Sequence, residues 1–242
     1  MRSLIILAGA LFALTVLIRA PAQWLLAAAP RSIACANPLG SMWHGSCARL
    51  QVPGVALNDV TWTLHPWGLV RGRLELELRS ADRQAPGSAH VSVARGQRVA
   101  IRDLHTNLPV DSGFLPIFPN GWSGQLQLDF SRVEFNDGRL ADLEGTATAR
   151  ELAQRSPAMP FGSFELRFAP PSHPDVISGA LRDLGGPLIV TGTLKVRNGN
   201  EYSLAGLVAT RPEVNAELAK AVEFLGASDA QGRRPFSLEG SF

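Results

Sequence analysis

Arg73-Leu74-Glu75-Leu76-Glu77-Leu78-Arg79 alternates charged and apolar residues without a break. A period of two sets the leucines on one face of a strand and the charges on the other, as in a sheet buried on one side only. The pattern continues outward. Upstream, Val60, Trp62 and Leu64 alternate with Thr61 and Thr63. Downstream come Leu126, Leu128 and Phe130, then Phe164, Leu166 and Phe168, then Leu194 and Val196, and finally Phe236, Leu238, Gly240 and Phe242. Turn residues separate the runs at Pro53-Gly54, Pro86-Gly87, Asn136-Asp137-Gly138, Gly185-Gly186-Pro187 and Asn198-Gly199-Asn200. The chain therefore reads as mainly β, with antiparallel strands joined by short hairpins. Its apolar face must be covered by folding over as a sandwich, closing as a barrel or curling into a trough, and alternation is the same in all three. An outer-membrane barrel is disfavoured, because aromatic residues are 7% of the chain with a single Tyr, too few for girdles at two interfaces.

Outside the N-terminus, helical spacing is clear only over residues 212–225. Pro212 suits a first helical turn, Val214, Leu218, Ala221, Val222 and Leu225 form an apolar stripe, and Gly226 ends it. This helix is expected to pack on the sheet before the last strand. Leu108 to Pro119, with three prolines, reads as an apolar loop capping one end.

Composition excludes several classes. With 45% apolar and 18% charged residues the chain is too hydrophobic for disorder. The net charge of +2 comes from Arg2 and Arg19, which flank an N-terminal apolar segment, so a nucleic-acid partner is not indicated. Ser3 to Ile18 carries no charge. It is slightly shorter than the roughly 17–25 residues of a full span, and Trp24-Leu25-Leu26 would extend it to residue 26 if Arg19 snorkels. The readings are an uncleaved anchor, a signal peptide cut near Ala20-Pro21-Ala22, or a core helix; a charge-free segment at the extreme N-terminus suits the core least. Residues 1–30 are thus expected to be membrane anchor and linker, and residues 31–242 a β-rich domain across the membrane. Cys35 and Cys47 bracket a loop containing Pro38, Gly40 and Gly45, so in an oxidising compartment a bond is the favoured reading over two buried thiols. Closing such a loop would contribute about 3 kcal/mol in the chain-entropy model.

Chemistry-bearing motifs are scarce. There is no phosphate-binding glycine loop, no His-Glu-x-x-His and no Gly-x-Ser-x-Gly. His44, His65, His90, His105 and His173 lack metal-ligand spacing, and no cofactor is expected. Asp103-Leu104-His105 puts an acid and a histidine on one strand face, and Asp137 and Asp142 read as hairpin residues. Arg95, Arg98 and Arg102 read as a solvated face, and Trp43, Trp62 and Trp67 as core. An enzyme is not indicated.

Gly40-Ser41-Met42-Trp43-His44-Gly45 resembles the Gly-x-x-Trp-x-Gly that opens the periplasmic part of the type II secretion system protein N family. Trp62-Thr63-Leu64-His65-Pro66 is similar to the Trp-x-Leu-x-Pro that follows in that family, and Leu69-Val70-Arg71-Gly72-Arg73-Leu74 continues the resemblance. Gly192-Thr193-Leu194, Tyr202 to Gly206 and Leu225-Gly226 recur in the family's order. The resemblance spans nearly the whole chain and implies a single-pass inner-membrane protein with a curled antiparallel β-sheet in the periplasm. It implies other type II secretion components as partners, and it carries no catalytic residues. The family is distantly similar to the AsmA-type proteins, whose curled sheets hold lipid in an apolar groove, so a lipid-handling module is the alternative.

Overall fold

Strands with one apolar face pair with their neighbours in sequence when the turns between them are short. The computed structural model describes residues 15–16, 19–27, 32–52, 55–111, 120–155, 158–170, 176–212 and 214–241. They form one antiparallel sheet of 13 strands in strict sequence order. These are β1 (Ala34–Gly40), β2 (His44–Val52), β3 (Val55–His65), β4 (Arg73–Ser80), β5 (Gly87–Ala94), β6 (Arg98–Pro109), β7 (Trp122–Asn136), β8 (Arg139–Gln154), β9 (Met159–Phe168), β10 (Val176–Asp183), β11 (Leu188–Arg197), β12 (Glu201–Thr210) and β13 (Arg234–Ser241). Short helices α1 (Ala22–Ala27), α2 (Pro66–Val70) and α3 (Ala216–Glu223) accompany it. β1 and β13 are not neighbours, so the sheet is open and the barrel alternative is excluded.

Register carries one apolar face across the whole sheet. Trp62 lies opposite Leu78, and Leu76 opposite both Leu64 and Val91. Leu104 faces Phe130, Phe130 faces Gly145, and Gly145 faces Phe168. Because Gly145 has no side chain, the Phe130 and Phe168 rings approach across it to a centroid distance of 6.1 Å. The alternation is not unbroken. The β7–β8 register shifts between Phe130 and Arg132, which returns Val133 to the face of Phe130, and both are buried in one cluster with Leu143, Phe168, Ile177 and Val196. The sheet also curls: Leu140 N at the start of β8 donates to Gly199 O in the β11–β12 turn at 3.0 Å, although β9 and β10 lie between them.

Two expectations need correction. The C-terminal helix runs over Ala216–Glu223, not 212–225. Pro212 stays outside because Asn215 is the N-cap, its side chain accepting from Glu217 N at 2.8 Å. Phe224 closes the helix, leaving Leu225 and Gly226 beyond it. At the other end, most of the 3–18 segment lies outside the described residues, and among the described ones no helix is long and apolar enough to cross a membrane. Trp24, Leu25 and Leu26 lie in α1. Pro21 bridges Ser41, Met42 N donates to Ala20 O at 2.9 Å, and α1 packs against β1 with Ala22 buried. The Leu108–Pro119 stretch begins as strand: Leu108 is in β6 and is buried with Val110 and Ala85, while residues 112–119 lie outside the described part. Phe242 also lies outside it.

Candidate functional site

The residues that carry the resemblance gather in two corners and do not form one site. In the first, Gly45 lies directly opposite Trp62. A Cβ on Gly45 would come within 2.7 Å of both the indole Cε2 and Leu39 O, so only glycine lets the ring lie flat on the β2 backbone. Trp62 Nε1 donates to Met42 O at 3.3 Å, and Leu64 N donates to Trp43 O at 2.7 Å. Gly40 holds a φ of +89°, which lets the chain turn from β1 towards β2. Leu64 is 1% exposed, and Pro66 opens α2. Cys35 and Cys47 join β1 to β2 beside this corner, with Cα atoms 5.7 Å apart.

The second corner is on β11 to β13. Gly192 faces Gly206, Leu194 faces Leu204, and Tyr202 pairs with Val196 on one side and Gly240 on the other. A Cβ on Gly240 would meet the Tyr202 ring, so the tyrosine lies across the β13 backbone. Leu225 N bonds Val222 O at 3.1 Å, and Arg234 Nη1 donates to Gly226 O, tying the end of α3 to β13. Of the three tryptophans read as core, Trp62 is buried and Trp43 half-buried, but Trp67 is 77% exposed on α2.

Between these corners the apolar face divides. On the C-terminal strands it is filled: Leu218 and Val222 of α3 pack on Leu188, Val190 and Val208. On β1 to β7 it is a trough. One recess of about 270 Å³ lies between α1 and β5, with Leu25, Leu26, Trp62 and Leu76 in its wall. A second, of about 340 Å³, continues to Ile101, Leu104 and Leu128. Leu50, Val52, Val60, Leu78 and Val91 line both, which makes the trough continuous. Each alone is near the lower end of the range for small-molecule sites. The walls are mostly aliphatic, with the Trp62 indole and the cysteine pair among them, so the trough can hold a hydrocarbon. Sequence placed these residues on the inward face; the fold shows that, among the described residues, only α1 lies against this part of it.

The opposite face is a charged surface. Asp103 and His105 do not act together. His105 Nδ1 lies 2.9 Å from Asp129 Oδ1 on β7, and His90 lies 3.6 Å from Asp103, all four exposed. Asp142 sits 3.6 Å from Arg132, and Asp137 takes a φ of +50° in the β7–β8 turn. Glu165 is held below the ordinary carboxyl value by a 2.8 Å hydrogen bond from Arg182, and the same bond raises Arg182. Burial pushes Asp183 up, but the Arg211 guanidinium at 2.6 Å and Val190 N outweigh it and leave the carboxyl lowered. Both are structural ion pairs: Arg211 also donates to Gly186 O and Leu188 O, which ties the end of β12 to the β10–β11 turn. Among the described residues no three His, Cys, Asp or Glu side chains converge as a metal site.

Comparison with known proteins gives a consistent result. The profile of the family described as Type II secretion system (T2SS), protein N matches residues 31–237, from before β1 into β13. Type II secretion system protein N of Aeromonas hydrophila is 28% identical over 209 residues, covering 83% of this chain and 81% of the relative. The protein of the same name from Vibrio cholerae is 24% identical over 236 residues, covering 93% and 92%. That from Pectobacterium carotovorum is 22% identical over 233 residues, covering 91% and 89%. No solved structure matches.

Proposed function

Because this chain belongs to the type II secretion system protein N family, we propose that it is a non-enzymatic component of the type II secretion machinery, held in the inner membrane by its N-terminal segment, with its sheet in the periplasm, supporting export of folded proteins across the outer membrane. The observation that carries this reading is the extent of the match, residues 31–237, which takes in β1 to β12, the first half of β13 and the motif residues of both corners. Three features support its details. The Cys35–Cys47 bond suits an oxidising compartment. Ala20 and Ala22 are each 1% exposed against the first corner, which favours a retained N-terminus over cleavage at Ala20-Pro21-Ala22. The outer edge of β13, unpaired among the described residues, offers a strand for pairing with another secretion component. Deleting the gene should weaken release of folded exoproteins while translocation across the inner membrane continues. Unchanged release would remove the proposal.

A second reading, a lipid-handling module, is favoured by one observation, the apolar trough that the described residues leave open on β1 to β7. Its outcome in the same deletion strain is altered outer-membrane lipid composition or detergent sensitivity with secretion intact.

A further inference from the structure

The end of the sheet that receives the N-terminal segment carries an exposed apolar and cationic surface that neither corner explains. Ala20 and Pro21 are fastened to Met42 and Ser41, Trp43 is bonded to Leu64, and α2 begins two residues later at Pro66. The chain thus leads from residues 3–18, which carry no charge, directly to α2. There Trp67 is 77% exposed, Val70 80% and Leu69 40%. Buried Gly68 is the inward side of this single turn, so its apolar residues face away from the sheet. Arg71 and Arg73 follow, and Arg95 joins them from the β5–β6 turn, because Arg73 lies opposite Ala94. All three are exposed, and none forms an ion pair among the described residues. Leu69, Val70, Arg71, Arg73 and Arg95 line one open recess of about 520 Å³. Glu75 and Asp103, the nearby acids, border a neighbouring recess that Arg73 also lines, and neither forms an ion pair with it.

A core would bury these apolar residues, and a merely soluble loop has no need of them. An exposed Trp beside aliphatic side chains, ringed by unpaired guanidinium groups, matches the chemistry of a membrane interface: the indole suits the headgroup level and arginine suits phosphate. We propose that this surface, formed by α2 and the β5–β6 turn, rests on an anionic phospholipid bilayer, with Trp67, Leu69 and Val70 entering the interface and Arg71, Arg73 and Arg95 on lipid phosphates. The proposal rests on the anchor reading for its geometry but not for its charges. It sets the strands steeply against the membrane, with the β4–β5 turn directed away from it.

The test uses the full chain in lipid nanodiscs of phosphatidylcholine alone or with one part in about three of phosphatidylglycerol. The native cysteines are bonded, so Trp67→Cys and, at the far end of β4, Gln84→Cys each supply one thiol for a water-soluble maleimide. Labelling at position 67 should slow at least about fivefold in the anionic discs, the effect of roughly one arginine at such a surface, while position 84 stays fast. Arg71→Glu, Arg73→Glu and Arg95→Glu together should restore labelling at 67 without changing the circular dichroism spectrum. Equal labelling at 67 and 84 in anionic discs that retain the chain would overturn the proposal and leave the anchor intact. Vesicle flotation separates the two claims. A chain stripped from vesicles by carbonate would refute the anchor, yet salt-sensitive flotation lost in the triple variant would still support this surface. No flotation with phosphatidylglycerol vesicles at low salt would refute both.

Discussion

Gly45 illustrates how much one atom decides. The Trp62 indole occupies the space of a Cβ, so Gly45→Val must lift the ring off β2. Overpacking of this kind costs about 1–3 kcal/mol, and denaturant unfolding followed by tryptophan fluorescence should show that loss with a red-shifted native spectrum. Asp183 gives a pH-dependent counterpart. Its folded-state carboxyl is held below the ordinary value, so its contribution is complete above about pH 4, where both folded and unfolded states are ionised. Below that the unfolded chain takes up the proton first, and the contribution fades as pH falls through the lowered folded value. The gap in melting temperature between the native protein and Asp183→Asn should therefore be wide at pH 6 and narrow towards pH 3. A constant gap would mean that the Arg211 contact adds nothing through charge. Trp67 shows where residue-level reading stops. Its composition matches Trp43 and Trp62, and its outward position depends on a turn of helix too short to leave a periodicity in the sequence.

At the scale of elements, alternation correctly located β3, β4, β7, β9, β11 and β13, because an apolar inward face demands it wherever the sheet runs straight. Bulges were not legible. Those beside Phe130 and Ala149 depend on how much the sheet must curve, which no short window of residues records. The helix before β13 was legible as an element but not at its start, since Pro212 and Asn215 are both acceptable opening residues and only the side-chain bond to Glu217 chooses between them. Asn215→Ala should lower stability by about 1 kcal/mol. Leu218→Ala, at a side chain 2% exposed under α3, should lower it by about 2–5 kcal/mol. Thermal melts monitored at a strand wavelength should rank the two in that order.

For the whole molecule, the contrast between a half that α3 fills and a half that the described residues leave open is the property that sequence could not supply, since Leu188 and Leu78 both occupy inward positions. The contrast is measurable. Val91→Phe adds volume where the trough has room and should change stability by less than about 1.5 kcal/mol. A loss as large as that of Leu218→Ala would show that the trough closes in solution. The strand order has a further consequence, for synthesis. Every strand pairs with the one made just before it, and the longest connection between partners is residues 211–233, between β12 and β13. A chain threaded across a membrane from its N-terminus can therefore fold by addition, each strand docking on an edge already waiting. The cysteine bond lies within the first hairpin, so it too can form early. Export intermediates arrested just after β3 should already resist alkylation at Cys35 and Cys47, which would make the first corner the seed from which the rest of the sheet grows.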